Sequence, residues 1–203
     1  MEPVVYVLLF VTSVVGLTFI VERGIALRWA RVVPPEIEAA VESCQAPEDV
    51  PMLRRVCQQH NSPISRLLLV AAEHLDWPKA EAVDAIQTRA RQEITHLERG
   101  LVVLEIIVGI APLLGLVGTI LGMMTAFGNV GQAGQIDPTE LAKGISLILR
   151  ATLFGLLIAI PSLIFWSYYT KKVESVAVEM ESLCDEFLQR QYRQQVQSPK
   201  SKV

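Results

Sequence analysis

Three stretches of this chain carry no charge and are long enough to cross the hydrocarbon core of a bilayer, which takes about 20 apolar residues in a helix. They run from Pro3 to Val21, from Ile106 to Phe127 and from Ala151 to Thr170. Glu2 and Glu22 bracket the first, Glu105 stands at the leading edge of the second, and Arg150 and Lys171-Lys172 flank the third. Composition agrees: 51% of the 203 residues are hydrophobic and 19% charged, against about 25% charged in an ordinary soluble domain. The charge is concentrated between the apolar runs. That pattern excludes a disordered chain, a disulfide mini-domain and an ordinary water-soluble enzyme. It predicts an all-α integral membrane protein: three transmembrane helices, with long helices extending into the cytoplasm.

The first run reads as a membrane helix and not a signal peptide, because no positive stretch precedes it and Arg23, Arg28 and Arg31 follow it. Lys and Arg mark the cytoplasmic side. Of the 18, ten lie between Glu22 and Gly100 and six after Thr170, with Lys143 and Arg150 the other two. The predicted order is therefore a first transmembrane helix over 1–22 with its amino terminus outside and a cytoplasmic helical region over 23–100. A second transmembrane helix over 101–127, a short outer loop over 128–143 and a third transmembrane helix over 144–170 follow. A cytoplasmic helix and tail complete the chain over 171–203. Cys44, Cys57 and Cys184 then lie in a reducing compartment as free thiols. A net charge of −3 gives no basic footprint for nucleic acid.

The charged parts are helical in pattern. Glu36 to Ser43 forms a short helix, and Ser62 caps a second that starts at Pro63 and runs to Leu75. Asp76-Trp77-Pro78 is another start. From there Val83, Ile86, Ala90, Ile94, Leu97 and Leu101 make an amphipathic seam, predicting one long helix that runs straight into the second crossing. Val173, Val176, Met180, Leu183 and Phe187 continue the third crossing as a heptad-like stripe. Either an intramolecular bundle or a ring of identical subunits covers such seams.

Within the crossings, Gly115, Gly118 and Gly122 share a face, and Gly155 lies in a small-residue stripe with Thr152, Ala159 and Ser162. Both stripes suit close helix packing. Pro161 interrupts the third helix's hydrogen bonding. Thr119 and Thr152 each stand eight residues from the outer end of their predicted transmembrane helix, Phe127 and Gly144 respectively, which at 1.5 Å per residue is about 12 Å deep in both. Their hydroxyls either bond a carboxyl group or water in a shared layer, or bond back to their own helices. Glu105 and Arg150 sit near opposite membrane faces, too far apart to pair, and either snorkel or, for Glu105, mark the mouth of a polar path. There is no phosphate loop, nucleophile elbow or HExxH, so no catalytic residue, enzyme activity or cofactor is predicted. Cys57 and His60 have a metal-like spacing without a full ligand set, so no metal site is predicted.

Two stretches, IAPLLGLVGTILGMMTAF over 110–127 and GISLILRATLFGLLIAIPSLIFWSYY over 144–169, resemble the MotA/TolQ/ExbB proton-channel family, closest to the ExbB/TolQ branch. The order of elements matches over the whole chain. The resemblance implies a pentameric homo-oligomeric ring in the bacterial inner membrane, with the 128–143 loop in the periplasm. It also implies partners: an ExbD/TolR-like single-pass subunit with an essential Asp, and a TonB/TolA-like protein that takes up the force. It further implies that Thr119 and Thr152, which match the family's GLxGT and TxxGLxxAIP threonines, face the pore. Leu147 stands where well-known members carry Glu, and Arg150 where an apolar residue is usual.

The function expected is a proton-channel or motor subunit that uses the proton motive force for TonB- or TolA-type transport or envelope maintenance. The alternative is a non-conducting scaffold ring, which Leu147 and Arg150 favour. A small-molecule transporter fits less well, for want of an inverted repeat or a broken-helix pair.

Overall fold

The computed structural model describes residues 2–133 and 138–197. All its regular elements are helical, with no strand among the described residues: α1 (Glu2–Ala26), α2 (Trp29–Val32), α3 (Pro35–Ser43), α4 (Val50–Gln59), α5 (Pro63–Glu73), α6 (Lys79–Glu98), α7 (Leu101–Ala133) and α8 (Pro138–Gln197), with a 3₁₀ turn at Pro47–Asp49 before α4. Three stretches are long and apolar enough to span a membrane: Val4–Ala26, Leu101–Thr125 and part of Gly144–Gln194. The chain divides into two units, Met1–Gly24 with Gly100–Tyr169 and Ile25–Arg99 with Thr170–Val203. The apolar unit is the membrane part of an all-α membrane protein.

Its packing is the reverse of a soluble core. Large residues such as Phe10, Leu113, Met124 and Leu153 are exposed, while Gly16, Ala111, Gly115, Ala151 and Gly155 are buried. Large side chains meet lipid, and small residues let backbones approach. Gly16 lies against Ser162 and Ile107, and Tyr169 donates its hydroxyl proton to the Ile20 carbonyl at 2.9 Å. A side chain on Gly24 would meet that same tyrosine oxygen at 2.8 Å.

The second unit has an ordinary hydrophobic core. Ile37, Leu53, Ile64, Leu67 and Leu68 from α3, α4 and α5 join Ile86 and Ala90 of α6 and Val176, Met180, Leu183 and Phe187 of α8. Both sequence-predicted seams are therefore covered within the chain. Ser62 caps α5 by accepting a hydrogen bond from the Ser65 N–H at 3.2 Å, with Pro63 following it. Glu93 is buried on α6 between two arginines: Arg66 meets its carboxylate at 2.9 and 2.5 Å and Arg89 at 2.8 Å. Burial acts to raise this carboxyl, but the Arg66 hydrogen bonds and the two arginine charges outweigh it and hold it below its ordinary value.

Three expectations need correction. The long helix into the second crossing is interrupted: α6 ends at Glu98 and α7 begins at Leu101. Gly100 is buried at that break, and a Cβ there would lie 2.0 Å from Arg23 Nε, so the arginine fills the space that a side chain would need. The outer loop over 128–143 is mostly helix, since α7 runs to Ala133 and α8 starts at Pro138; 134–137 lie outside the described residues, as does the tail from Ser198. Apolarity marks the bilayer, whereas backbone hydrogen bonding continues past it. Finally, α5 stops at Glu73, two residues short of Leu75.

Candidate functional site

The predicted site residues are carried by α7 and the amino-terminal part of α8, which pack antiparallel through their small residues. A Cβ on Gly122 would lie 2.7 Å from Ile148 Cγ1, one on Gly118 2.7 Å from Ala151 Cβ, and one on Gly115 3.0 Å from the Thr152 Cα. On α8, a Cβ on Gly155 would lie 2.6 Å from the Ala111 carbonyl oxygen and 3.3 Å from Gly115 Cα. The glycines thus lie where the two helices approach most closely.

This seam fixes the register of the two threonines. Thr152 is level with Gly115, and Thr119 stands four residues further along α7, about 6 Å away along the axis. The equal depth expected from the apolar segments becomes an offset of one turn. The offset arises because the ends of apolar runs do not fix the register of two packed helices, which the glycine contacts do.

Direction follows from helical geometry, at about 100° per residue. Ala111, Gly115, Gly118 and Gly122 of α7 face Ile148, Ala151 and Gly155 of α8. Thr119 lies about 70° from the centre of the first stripe and Thr152 about 70° from the centre of the second. In an antiparallel pair, offsets of the same sign turn to the same side. The two threonines therefore emerge on one side of the pair.

α1 occupies the other side. Val5 touches Gly118, Gly16 touches Ile107 and Ser162, and Tyr6 meets Phe154 edge-on with ring centroids 6.3 Å apart. These contacts lie on the opposite flank of the seam by the same angular count.

The hydroxyls differ in state. Thr119 donates to the Leu116 carbonyl at 2.6 Å, one of several back-bonds in the crossings along with Thr12 to Leu8, Thr125 to Gly122 and Ser162 to Ile158, each at 2.8 Å. A back-bonded hydroxyl keeps its acceptor lone pairs free. Thr152 makes no hydrogen bond among the described residues, and its side chain is half-buried.

Glu105 and Arg150 are both exposed, and the register separates them by about 12 residues, or about 18 Å, as their sequence positions imply. Arg150 is two residues from Thr152, so it leaves α8 about 200° away and points off the threonine side. Leu147 lies in α8, its side chain outside the described residues. Pro161 is exposed inside α8, on the flank away from the threonines. Sequence reasoning missed Pro112, inside α7. The seven-residue spacing of Glu105, Pro112 and Thr119 was the available signal.

No metal-binding arrangement occurs among the described residues. Cys57 is buried, its thiol pushed up to about 11 by desolvation and, secondarily, by Cys44. It is protonated at neutral pH and a poor ligand.

The MotA/TolQ/ExbB proton channel family matches residues 59–182, more than half of the chain. Among individual proteins, an ExbB homolog of Methanothermobacter thermautotrophicus named for biopolymer transport is 32% identical over 153 residues, 75% of this chain and 54% of its own length. The biopolymer transport protein ExbB of Aquifex aeolicus is 31% identical over 116 residues, 57% of this chain and 78% of its own. That of Helicobacter pylori J99 is 41% identical over 76 residues, 37% of this chain and 52% of its own. The match thus spans about half the length of the Methanothermobacter relative. With the family model lying across the α7–α8 pair and its threonine side, the chain belongs to the MotA/TolQ/ExbB proton channel family.

Proposed function

We propose that this protein is a proton-conducting motor subunit. It works with an ExbD/TolR-like single-pass partner to energise a TonB- or TolA-type system for transport or envelope maintenance. The observation that carries this reading is the placement of Thr119 and Thr152 on one side of the α7–α8 pair, with α1 on the other. A ring of such subunits, five by family resemblance, turns that side inward and leaves α1 toward lipid. The distribution of Lys and Arg supports an amino terminus outside and a carboxyl terminus inside, and the family resemblance supports an inner-membrane location.

The chemistry follows from the hydroxyls. A carboxylate on the partner's helix is costly in a low-dielectric wall and becomes neutral by taking a proton from outside. Beside the threonines it exchanges hydrogen bonds with oxygen lone pairs that accept from the acid form and hydroxyl protons that donate to the ionised form. One proton moving through 100 mV releases about 2.3 kcal/mol, so a few protons per step suffice to shift one packed helix set against another. Arg150 points away from the threonine side, which removes the objection that it repels cations entering there.

The scaffold alternative holds partner proteins through the cytoplasmic helices, so that changes along Val83, Ile86 and Ile94 break assembly. Ile86 is buried in the chain's own core and Val83 and Ile94 pack against it, which leaves this seam little surface for a partner. The test is Thr119→Val and Thr152→Val, each in cells that depend on energised uptake. Loss of uptake at unchanged protein level supports the reading; two silent substitutions overturn the assignment of the face.

A further inference from the structure

Glu105 is the one acidic side chain in the membrane part of α7, and it is exposed with no hydrogen bond or ion pair among the described residues. It lies 14 residues before Thr119, two heptads, along which an ideal helix drifts by about 40° in total. It therefore opens on the threonine side, about 21 Å from Thr119 along the axis. Pro112 stands midway on the same line, and because it has no N–H it leaves the Val108 carbonyl without its intrahelical donor. Val108 falls on the same side by angular count. Glu105, the Val108 carbonyl and the lone pairs of Thr119 are thus successive acceptors along one face, suited to holding water.

The elements packed against α7 bring no charge to Glu105. α8 has none between Arg150 and Lys171. On α1, Glu22 and Arg23 pair with each other at 2.8 Å, and Arg23 packs over Gly100 on the opposite flank.

Building on the proton-motor reading, we propose that Glu105 is the proton acceptor at the Leu101 end of the path. A proton delivered to the threonine face passes through water along that face to the Glu105 carboxylate. The neutral acid then gives the proton to solvent water and the carboxylate is restored.

The test uses the full protein with its ExbD/TolR-like partner in proteoliposomes, following dye-reported proton flux as the pH is varied on the side of the Leu101 end. Glu105→Gln is expected to lower flux about a hundredfold, the low end for loss of a positioned proton-transfer group, and to flatten its dependence on that pH. Glu105→Asp, which keeps the carboxyl, should retain flux and a shifted pH profile. Thr152→Val in parallel separates the two claims. If Thr152→Val abolishes flux while Glu105→Gln matches wild type in rate and profile, the role of Glu105 is overturned and the motor reading stands. If Thr152→Val is silent, the motor reading itself fails. If the Asp and Gln variants lose flux equally, the carboxyl is not the acting group and the proposal is overturned.

Discussion

Gly155→Ala isolates the packing of the α7–α8 pair from everything else in the chain. The new Cβ would lie 2.6 Å from the Ala111 carbonyl oxygen and 3.3 Å from Gly115 Cα, all backbone atoms that no rotamer change can move. An ordinary carbon–oxygen contact is about 3.3 Å, so the helices must separate by about 0.7 Å at that level. A gap of that size forfeits about a quarter to a half of each atom pair's attraction across the seam. Together with local strain, this destabilises the pair by about 2 kcal/mol, within the usual range for overpacking. For a chain of this length that is a fall of about 4–8 °C in Tm. The comparison is Gly109→Ala, where a Cβ meets nothing within 4 Å and the helix gains about 1 kcal/mol in propensity. Gly118→Ala, against the fixed Ala151 Cβ at 2.7 Å, should behave like Gly155→Ala. Gly122→Ala should be milder, because it meets an isoleucine side chain that has some freedom to turn. The assay is thermal unfolding of the detergent-solubilised protein, followed by size-exclusion elution. Equal Tm values for Gly155→Ala and Gly109→Ala would refute the seam as drawn.

Two further outcomes concern the water-exposed unit. Glu93→Gln leaves Arg66 and Arg89 facing a neutral amide; both arginines are about a third exposed, so the loss is held to about 2 kcal/mol, below the figure for a fully buried pair. Because the folded-state carboxyl is held below its ordinary value of 4.5, its contribution is present above that pH and lost as the pH falls through the lowered folded value. Acid titration of unfolding should show that step in the wild type and not in Glu93→Gln. Burial pushes the Cys57 thiol up to about 11 and that of Cys184 to about 12, from 9.0 when unfolded. Their contribution is complete below pH 9 and declines as the pH rises toward those values. Alkylation at pH 8 should therefore proceed only as fast as the unit opens; rapid labelling of the native protein would contradict the burial.

The sequence carried the membrane part well because its signals are local. Uninterrupted apolar runs, the GxxxG pair of Gly118 and Gly122, and the Ser62-Pro63 cap each follow from neighbouring residues. What it missed depends on tertiary contacts. The break at Gly100 exists beside Arg23, which is distant in sequence, and the Glu93 cluster joins α5 to α6 through Arg66. α4 was not foreseen although its signal was present: Val50, Leu53 and Cys57 recur at helical spacing on one buried face, and Pro51 stands in the first turn, where proline is tolerated. The two threonines were legible as a pair, but their common side was not. It required the antiparallel register, which only the glycine contacts supply, and the same register corrected their depth by a turn.

The central claim is that the threonine side of α7 and α8 carries protons. Proton flux in proteoliposomes, with this protein alone, with its ExbD/TolR-like partner, and with the partner plus Thr152→Val, tests it most directly. The account predicts flux only in the presence of the partner, and its loss on substitution. Equal flux with Thr152→Val, or none from correctly assembled wild-type complexes, would contradict it.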